Sequence, residues 1–81
     1  MVEFPLSTFI DKSGVVEITG FIGSSEMVER LQELGLRIGL EIRYFGQSPF
    51  QGPLLYRLDS TLVALRQEEA QCTLIRIKIK S

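Results

Sequence analysis

The sequence predicts a mainly β domain of the α+β class, built as a small five-stranded barrel with one short helix. Five short segments have the alternating or β-branched pattern of strands, and glycine, proline, aspartate or serine separates most of them. Between the first two segments lies a stretch with the apolar spacing of a helix. We therefore expect the helix to be inserted after the first strand.

Alternation defines the strands. In the first, Val16 and Ile18 share one face, and in the second Ile42 and Tyr44 do so. The five strands are predicted at residues 15–22, 40–45, 54–58, 61–66 and 72–79. Residues 1–13 are predicted to be a mixed leader, in which Pro5 disfavours regular structure before it. Leu6 to Ile10 are predicted to form a turn of helix or an extended segment.

The helix is predicted from Glu26 to Leu34, with a serine of the pair Ser24-Ser25 at its N-cap. Its apolar side chains recur at spacings of three and four, which places them on one face. Gly35 follows where a helix often ends in a residue with positive φ. The predicted structural residues of this region are Met27, Leu31, Leu34 and Gly39.

Length and charge limit the classes of function. The chain has 81 residues, a hydrophobic fraction of 44% and a formal net charge of −1. These values predict one domain spanning residues 1–81 and argue against disorder. They also argue against a general nucleic-acid binder, which carries a clear basic excess. Arg76, Lys78 and Lys80 form only a small basic cluster.

Residues typical of catalytic and metal sites are scarce. The chain has one cysteine, Cys72, and no histidine, so neither a thiolate–imidazole pair nor a structural zinc site is expected. Glu68 and Glu69 lie in a predicted helical turn and are expected to be solvated. We predict no enzyme activity, no metal ligands and no cofactor.

Targeting signals are not evident. The start of the chain, Met1 to Pro5, lacks the positive charge and apolar core of a signal peptide. No apolar run approaches the length of a membrane span, about 18 residues. We expect a cytoplasmic protein without direct membrane insertion. Pairing of exposed strand edges also leaves a homo-oligomer open.

The aromatic residues leave two functions open. Tyr44, Phe45, Phe50 and Tyr56 are predicted either to stack on single-stranded nucleic acid or to pack into the barrel wall. Phe50 lies in the middle of a loop where no periodicity assigns it to the core. It is expected either to anchor a protein interface or to pack over one end of the barrel.

An ordered set of short motifs resembles the FeoA family. The set comprises Arg30-Leu31, Glu33-Leu34-Gly35-Leu36, Gly39, Ser48-Pro49, Gly52-Pro53-Leu54, Ala64-Leu65-Arg66 and Glu69-Ala70. The resemblance runs from about Val15 to Ile79. It departs at Ile38, where the family often has proline, and at Asp59-Ser60, where glycine is common.

The resemblance implies a small SH3-like barrel that acts as a non-enzymatic accessory of bacterial ferrous iron uptake. Its implied partner is FeoB, a membrane transporter with a cytoplasmic GTP-binding domain. Similar domains occur at the C-terminus of metal-dependent repressors of the DtxR type, but this chain has no room for their DNA-binding helices. A small nucleic-acid-binding barrel, a stand-alone relative of the repressor domain and direct metal or nucleotide sensing remain alternatives.

Exposure and turn chemistry suggest where a partner binds. A loop bracketed by glycines and holding two prolines follows the second predicted strand, and the glycine stop of the helix is the other irregular segment. The predicted partner-binding residues are Gln47, Ser48, Pro49, Phe50, Gln51 and Gly52 of the loop, with Gly35, Leu36 and Arg37 at the helix end.

Overall fold

The computed structural model describes residues 3–78 and contains one six-stranded antiparallel sheet with two helices. The strands are β1 (Phe4–Pro5), β2 (Val16–Phe21), β3 (Glu41–Gln47), β4 (Leu54–Leu58), β5 (Thr61–Leu65) and β6 (Thr73–Ile77). Helix α1 spans Ser25–Glu33, helix α2 spans Gln67–Gln71, and a 3₁₀ turn spans Leu6–Thr8. The strand order across the sheet is β1-β6-β2-β3-β4-β5.

The strands predicted from alternation are all present as β2 to β6. β4 has the predicted bounds, and the others differ by one or two residues at their ends, as expected for element boundaries. The inward faces also agree, because Val16, Ile18 and Ile42 are buried. Ile79, predicted at the end of the last strand, and Lys80, predicted in the basic cluster, lie outside the described residues.

The prediction of five strands was wrong because a short N-terminal strand, β1, pairs with β6. Phe4 lies opposite Ile75 and Pro5 opposite Leu74. Proline is tolerated here because β1 is an edge strand, where the missing N–H does not interrupt a ladder. The helix α1 therefore follows the second strand of the chain rather than the first.

The predicted closed barrel is also corrected. Among residues 3–78, β1 pairs with β6 and β5 pairs with β4, so both strands are edges of an open sheet. The sheet bends at two irregularities in its register, one between Ile18 and Gly20 and one between Tyr44 and Gly46. Such bulges increase the local twist and bend a strand without closing the sheet.

Both ends of α1 are capped as the sequence predicts. The Oγ atom of Ser24 accepts a hydrogen bond from the backbone N–H of Met27 at 3.1 Å. At the other end Gly35 has a φ of 101°, its N–H donates to Gln32, and the N–H of Leu36 donates to Leu31. This pair of bonds is the Schellman arrangement, which turns the chain toward β3.

The core lies between the inner face of the bent sheet, α1 and the N-terminal segment. Leu31 and Leu36 are fully buried, whereas Met27 and Leu34 are half-buried against the same cluster. The buried apolar residues are Leu6, Val15, Val16, Ile18, Leu31, Leu36, Ile42, Leu54, Tyr56, Leu58, Val63, Leu65, Ala70 and Ile75.

Glu69 is not the solvated residue that its neighbourhood in the sequence predicts. It is 3% exposed, and its carboxylate binds the guanidinium of Arg30. The backbone N–H of Arg66 donates to its other oxygen at 2.8 Å. Burial alone would raise the pKa of the Glu69 carboxyl group, but these hydrogen bonds outweigh it and lower that pKa. Glu68, the adjacent residue, is exposed.

Candidate functional site

The loop between β3 and β4 is closed by its own hydrogen bonds. The backbone N–H of Gly52 lies 3.3 Å from the carbonyl oxygen of Ser48 and 3.1 Å from that of Pro49. The N–H of Ser48 donates to Pro53 at 2.9 Å, and the Gln47 amide donates to the carbonyl of Gly52 at 3.2 Å. The loop therefore has a fixed shape although most of its side chains are exposed.

The tip of this loop is a tight turn with an uncommon composition. Phe50 and Gln51 both have a φ of 58°, and the hydrogen bond from Gly52 to Pro49 closes the turn around them. Positive φ at both central positions is the pattern of a type I′ turn, which strongly favours glycine, asparagine or aspartate. Phe50 and Gln51 therefore hold backbone strain, a feature that clusters at binding and active sites.

The strained turn presents Phe50 to solvent. Its side chain is 102% exposed, more than any other large apolar side chain described. The alternative in which Phe50 packs over one end of the sheet is therefore not observed. A fully exposed aromatic residue has a large apolar area to bury on binding, and the hydrogen-bonded turn leaves the backbone of Phe50 little conformational freedom to lose.

Position 52 requires glycine because its backbone lies close to Ser48 and Pro49 of the same loop. A Cβ atom at this position would lie 2.9 Å from the Cβ atom of Ser48 and 3.1 Å from the carbonyl oxygen of Pro49. These distances are shorter than ordinary contacts, so any other residue would force the turn open. The glycine that the sequence places after Phe50 and Gln51 thus fixes the shape of the tip.

The four aromatic residues considered for nucleic-acid stacking do not share one surface. Tyr56 is fully buried and packs edge to face with Tyr44, with ring centroids 5.7 Å apart. Its hydroxyl donates to the carbonyl of Leu6 at 3.0 Å, and burial raises the pKa of the phenol. Phe45 is 47% exposed on the outer face of the sheet, away from the core.

The helix end predicted to bind a partner lines a hollow of about 260 Å³. Gly35 and Arg37 border it together with the turn between β4 and β5, which includes Asp59. Leu36 is fully buried, so it supports this surface from below and cannot touch a partner. Of the three residues predicted here, Gly35 and Arg37 are exposed.

The structure does not bring the loop and the helix end together. A Cβ atom on Gly35 would lie 3.8 Å from a methyl group of Leu58, the last residue of β4. The loop instead joins β4 at its first residue, Leu54. Four residue steps of about 3.4 Å each separate Leu54 from Leu58, so the two regions lie at opposite ends of one strand.

The neighbours of the loop were not identified from the sequence. Gln51 and Gly52 border a hollow of about 320 Å³ whose other side is formed by Arg66, Gln67 and Glu68. This contact joins segments that are distant in the chain and depends on the pairing of β4 with β5. Neither periodicity nor turn chemistry indicates such a contact.

Neither a group of metal ligands nor a membrane-spanning helix is found in the described part of the chain. Among residues 3–78 no three histidine, cysteine, aspartate or glutamate side chains are grouped as metal ligands. In that range, too, no helix has the length and apolar character needed to cross a bilayer. The features described here for binding are the hydrogen-bonded loop and the exposed surfaces around it.

Comparison with known proteins identifies the family. Residues 4–77 match the family model described as the FeoA domain. The chain belongs to the FeoA family. A search of curated proteins finds no significant match. The resemblance noted from the motifs is thereby confirmed.

Solved structures of FeoA proteins share this fold. An iron uptake regulatory protein (FeoA) superposes with a TM-score of 0.83 at 18% identity, over 96% of this chain and 100% of the other. A FeoA-like protein from Clostridium acetobutylicum gives a TM-score of 0.86 at 23% identity, over 100% of this chain and 93% of the other.

A larger regulator contains a similar domain. The manganese regulator SloR gives a TM-score of 0.79 at 19% identity, over 93% of this chain but only 34% of its own length. The similarity shows a shared SH3-like fold within a longer protein. It supports the expected relationship to metal-dependent regulators at the level of fold.

Several FeoA motifs have structural roles in this chain. Arg30 and Glu69, from separate motifs, form an ion pair between the two helices. Gly35 ends α1, and Gly52 closes the turn that holds Phe50. These motifs therefore explain the shape of the domain, whereas Phe50 itself is exposed and has no packing role.

Proposed function

We propose that this FeoA-family chain is a non-enzymatic accessory of bacterial ferrous iron uptake that binds the cytoplasmic part of a FeoB-type membrane transporter. Family membership supports the link to iron uptake. Similar solved structures include an iron uptake regulatory protein and an iron(II) transport protein A from Clostridium thermocellum. Both the cytoplasmic location and the transporter as partner are part of the proposal.

The observation that carries the binding role is the exposed Phe50 on a strained and internally bonded turn. A residue that stabilised the domain would be packed, yet Phe50 is fully exposed. The hydrogen bonds of Gly52 hold its backbone in one conformation before any partner arrives. Such preorganisation lowers the entropic cost of binding, and aromatic side chains are frequent hot spots of protein interfaces.

The loop is proposed as the main contact, and the surface of Gly35 and Arg37 as a second one. Because they lie at opposite ends of β4, a partner that reaches both must cover the length of that strand. Interfaces of ordinary size bury about 800 Å² on each partner, which is enough for such a span. A partner that reaches only the loop would leave Arg37 in solvent.

A pull-down from bacterial membranes with the full chain as bait tests the proposal. Recovery of a ferrous iron transporter is expected, and a change in recovery with a non-hydrolysable GTP analogue would locate the contact at its GTP-binding domain. The Phe50→Ala variant is expected to recover less, while Ile10→Ala, another exposed apolar side chain, is expected to behave as wild type. Absence of the transporter from the wild-type eluate would contradict the proposal.

A nucleic-acid-binding role is the second candidate, favoured by the fold shared with the manganese regulator SloR and with a manganese-dependent transcriptional repressor. Two observations weigh against this role: the four aromatic residues do not lie on one surface, and the net charge of the chain is −1. Binding of single-stranded oligonucleotides that weakens steeply with salt would favour this role. Binding that is absent at low salt would remove it.

A further inference from the structure

Charged residues on the outer face of the sheet are paired on one side of β3. Arg76 on β6 binds Glu17 on β2, its cross-strand neighbour, with Nη2 and Oε1 2.8 Å apart. Lys78 binds Glu41, the first residue of β3. Opposite charges thus face each other across β6, β2 and the start of β3, the arrangement that stabilises a sheet.

The other side of β3 breaks this pattern. Arg43 on β3 lies directly opposite Arg57 on β4, and both side chains are exposed. No carboxylate among residues 3–78 forms a salt bridge with either guanidinium. Arg57 instead lies over the ring of Phe45, with its Cζ atom 5.6 Å from the centroid. Like charges placed opposite each other destabilise a sheet, so this pair has no structural benefit of its own.

Apolar side chains adjoin the two arginines toward the edge of the sheet. Leu62 of β5 lies opposite Arg57, and Ala64 lies opposite Leu55. Leu62 is 46% exposed and Phe45 is 47% exposed. We define the outer patch as Arg43, Phe45, Leu55, Arg57, Leu62 and Ala64.

The outer patch ends at an unprotected strand edge. β5 pairs only with β4 among the described strands, so alternate backbone groups along it face away from the sheet. The five residues of β5, Thr61 to Leu65, include no charged residue and no proline. Edges of this kind are templates for pairing with another chain unless charge or proline blocks them.

We propose that β5 and the outer patch bind an extended acidic and apolar segment of a partner protein, which adds to the sheet as a seventh strand. Main-chain hydrogen bonds to β5 would hold the segment, an apolar side chain would cover Leu62 and Ala64, and a carboxylate would bind Arg57. Arg57 lies two strands from the added segment, about 10 Å away, a distance that an arginine and a glutamate side chain extended toward each other can span. Arg43 lies one strand further and adds electrostatic attraction without direct contact. This proposal is independent of the identity of the transporter.

The charges of the outer patch favour an acidic segment over a second copy of this chain or a nucleic acid. A second copy paired through β5 would bring no carboxylate to Arg43 or Arg57, because β5 contains none. A nucleic acid would gain nothing from the free backbone of β5 and would meet a chain of net charge −1. Glu41 and Asp59 border the hollow beside the two arginines, so the partner's carboxylates are expected on the side nearer Phe45.

The test uses the full chain and a blocked seven-residue peptide in which alternating glutamate and leucine are separated by threonine. A matched peptide has lysine in place of glutamate. Titration followed by NMR is expected to shift the amide signals of residues 61–65 with the glutamate peptide and to slow their hydrogen exchange. The lysine peptide is expected to bind at least about tenfold more weakly, because it removes the charge-assisted contacts.

Substitutions distinguish binding at the outer patch from a general attraction of the peptide to positive charge. The double variant Arg43→Gln with Arg57→Gln is expected to weaken the glutamate peptide about tenfold or more. Lys12→Gln removes an exposed positive charge elsewhere and is expected to leave binding unchanged. Equal binding of the two peptides, or shifts confined to residues outside β5, would overturn the proposal. Dimerisation through β5, or Arg57-dependent binding of a single-stranded oligonucleotide in place of the peptide, would overturn it as well.

Discussion

The guanidinium of Arg30 on α1 binds the buried carboxylate of Glu69 on α2, although the two residues are 39 positions apart. Glu69 also accepts the backbone N–H of Arg66 at the start of α2. One carboxylate therefore joins the two helices and caps the shorter of them. A helix of five residues has little stability of its own, so this contact holds α2 in place.

Removal of the carboxylate is expected to destabilise the domain. Glu69→Ala should lower the free energy of unfolding by about 1–3 kcal/mol, because it removes the ion pair with Arg30 and leaves the partly buried N–H of Arg66 without its acceptor. Glu68→Ala is the matched control, since Glu68 is adjacent and exposed, and it should change stability by less than about 0.5 kcal/mol. Urea unfolding of the two variants measures the difference. Equal effects would contradict the capping role of Glu69.

The same carboxylate is expected to make stability depend on pH. Its pKa in the folded state is below the ordinary value of 4.5, so its contribution is complete above that value and is lost as the pH falls through the folded-state pKa. The difference in unfolding free energy between wild type and Glu69→Ala should be constant near neutral pH and should shrink in acid. A difference that grew in acid would contradict the lowered pKa.

The burial of Leu31 predicts the cost of its truncation. Leu31→Ala should destabilise the domain by about 2–5 kcal/mol, because the side chain is fully buried between α1 and the sheet. Leu34→Ala should cost less, since Leu34 is half-buried. Thermal unfolding of both variants provides the comparison. A melting temperature unchanged by Leu31→Ala would show that α1 does not pack as described.

The strained turn predicts a stabilising substitution. Gln51→Gly should raise the free energy of unfolding by about 1 kcal/mol, because glycine adopts a φ of 58° without the steric cost paid by other residues. Glu29→Gly in the exposed middle of α1 is the control and should lower stability by about 0.5–1 kcal/mol. Two losses of stability would mean that Gln51 is not strained.

The phenol of Tyr56 holds the N-terminal segment on the sheet. Tyr56→Phe should lower stability by about 1 kcal/mol, because it removes the hydrogen bond to the carbonyl of Leu6. The cost stays moderate, since the N–H of Phe9 still donates to that carbonyl at 2.9 Å. Amide hydrogen exchange should accelerate most in residues 4–9. Uniform acceleration throughout the chain would argue against a local role.

The strands from β2 to β6 follow from the sequence because alternation directly records which side chains face the core. The caps of α1 follow for a similar reason, since Ser24 and Gly35 act within a few residues of their own positions. β1 was missed because Pro5 argues against a strand in general but not at an edge. The open sheet was missed because closure depends on whether distant edges meet.

The candidate site was predictable in part. Turn chemistry located the loop, and the absence of periodicity at Phe50 left its exposure as one of two open interpretations. The burial of Leu36 and the separation of the loop from Arg37 depend on where β4 places its two ends, which no local pattern records. The pairing of Arg43 with Arg57 was not predictable either, because only the register of β3 on β4 places the two charges opposite each other.

Phe50 is proposed to anchor the contact with a FeoB-type transporter. The most direct measurement is the Kd of the full chain for the purified transporter in detergent, compared among wild type, Phe50→Ala and Ile10→Ala. Loss of a hot-spot aromatic residue is expected to raise the Kd about tenfold or more, with Ile10→Ala equal to wild type. If Phe50→Ala binds as tightly as the wild type, Phe50 is not the anchor of this contact.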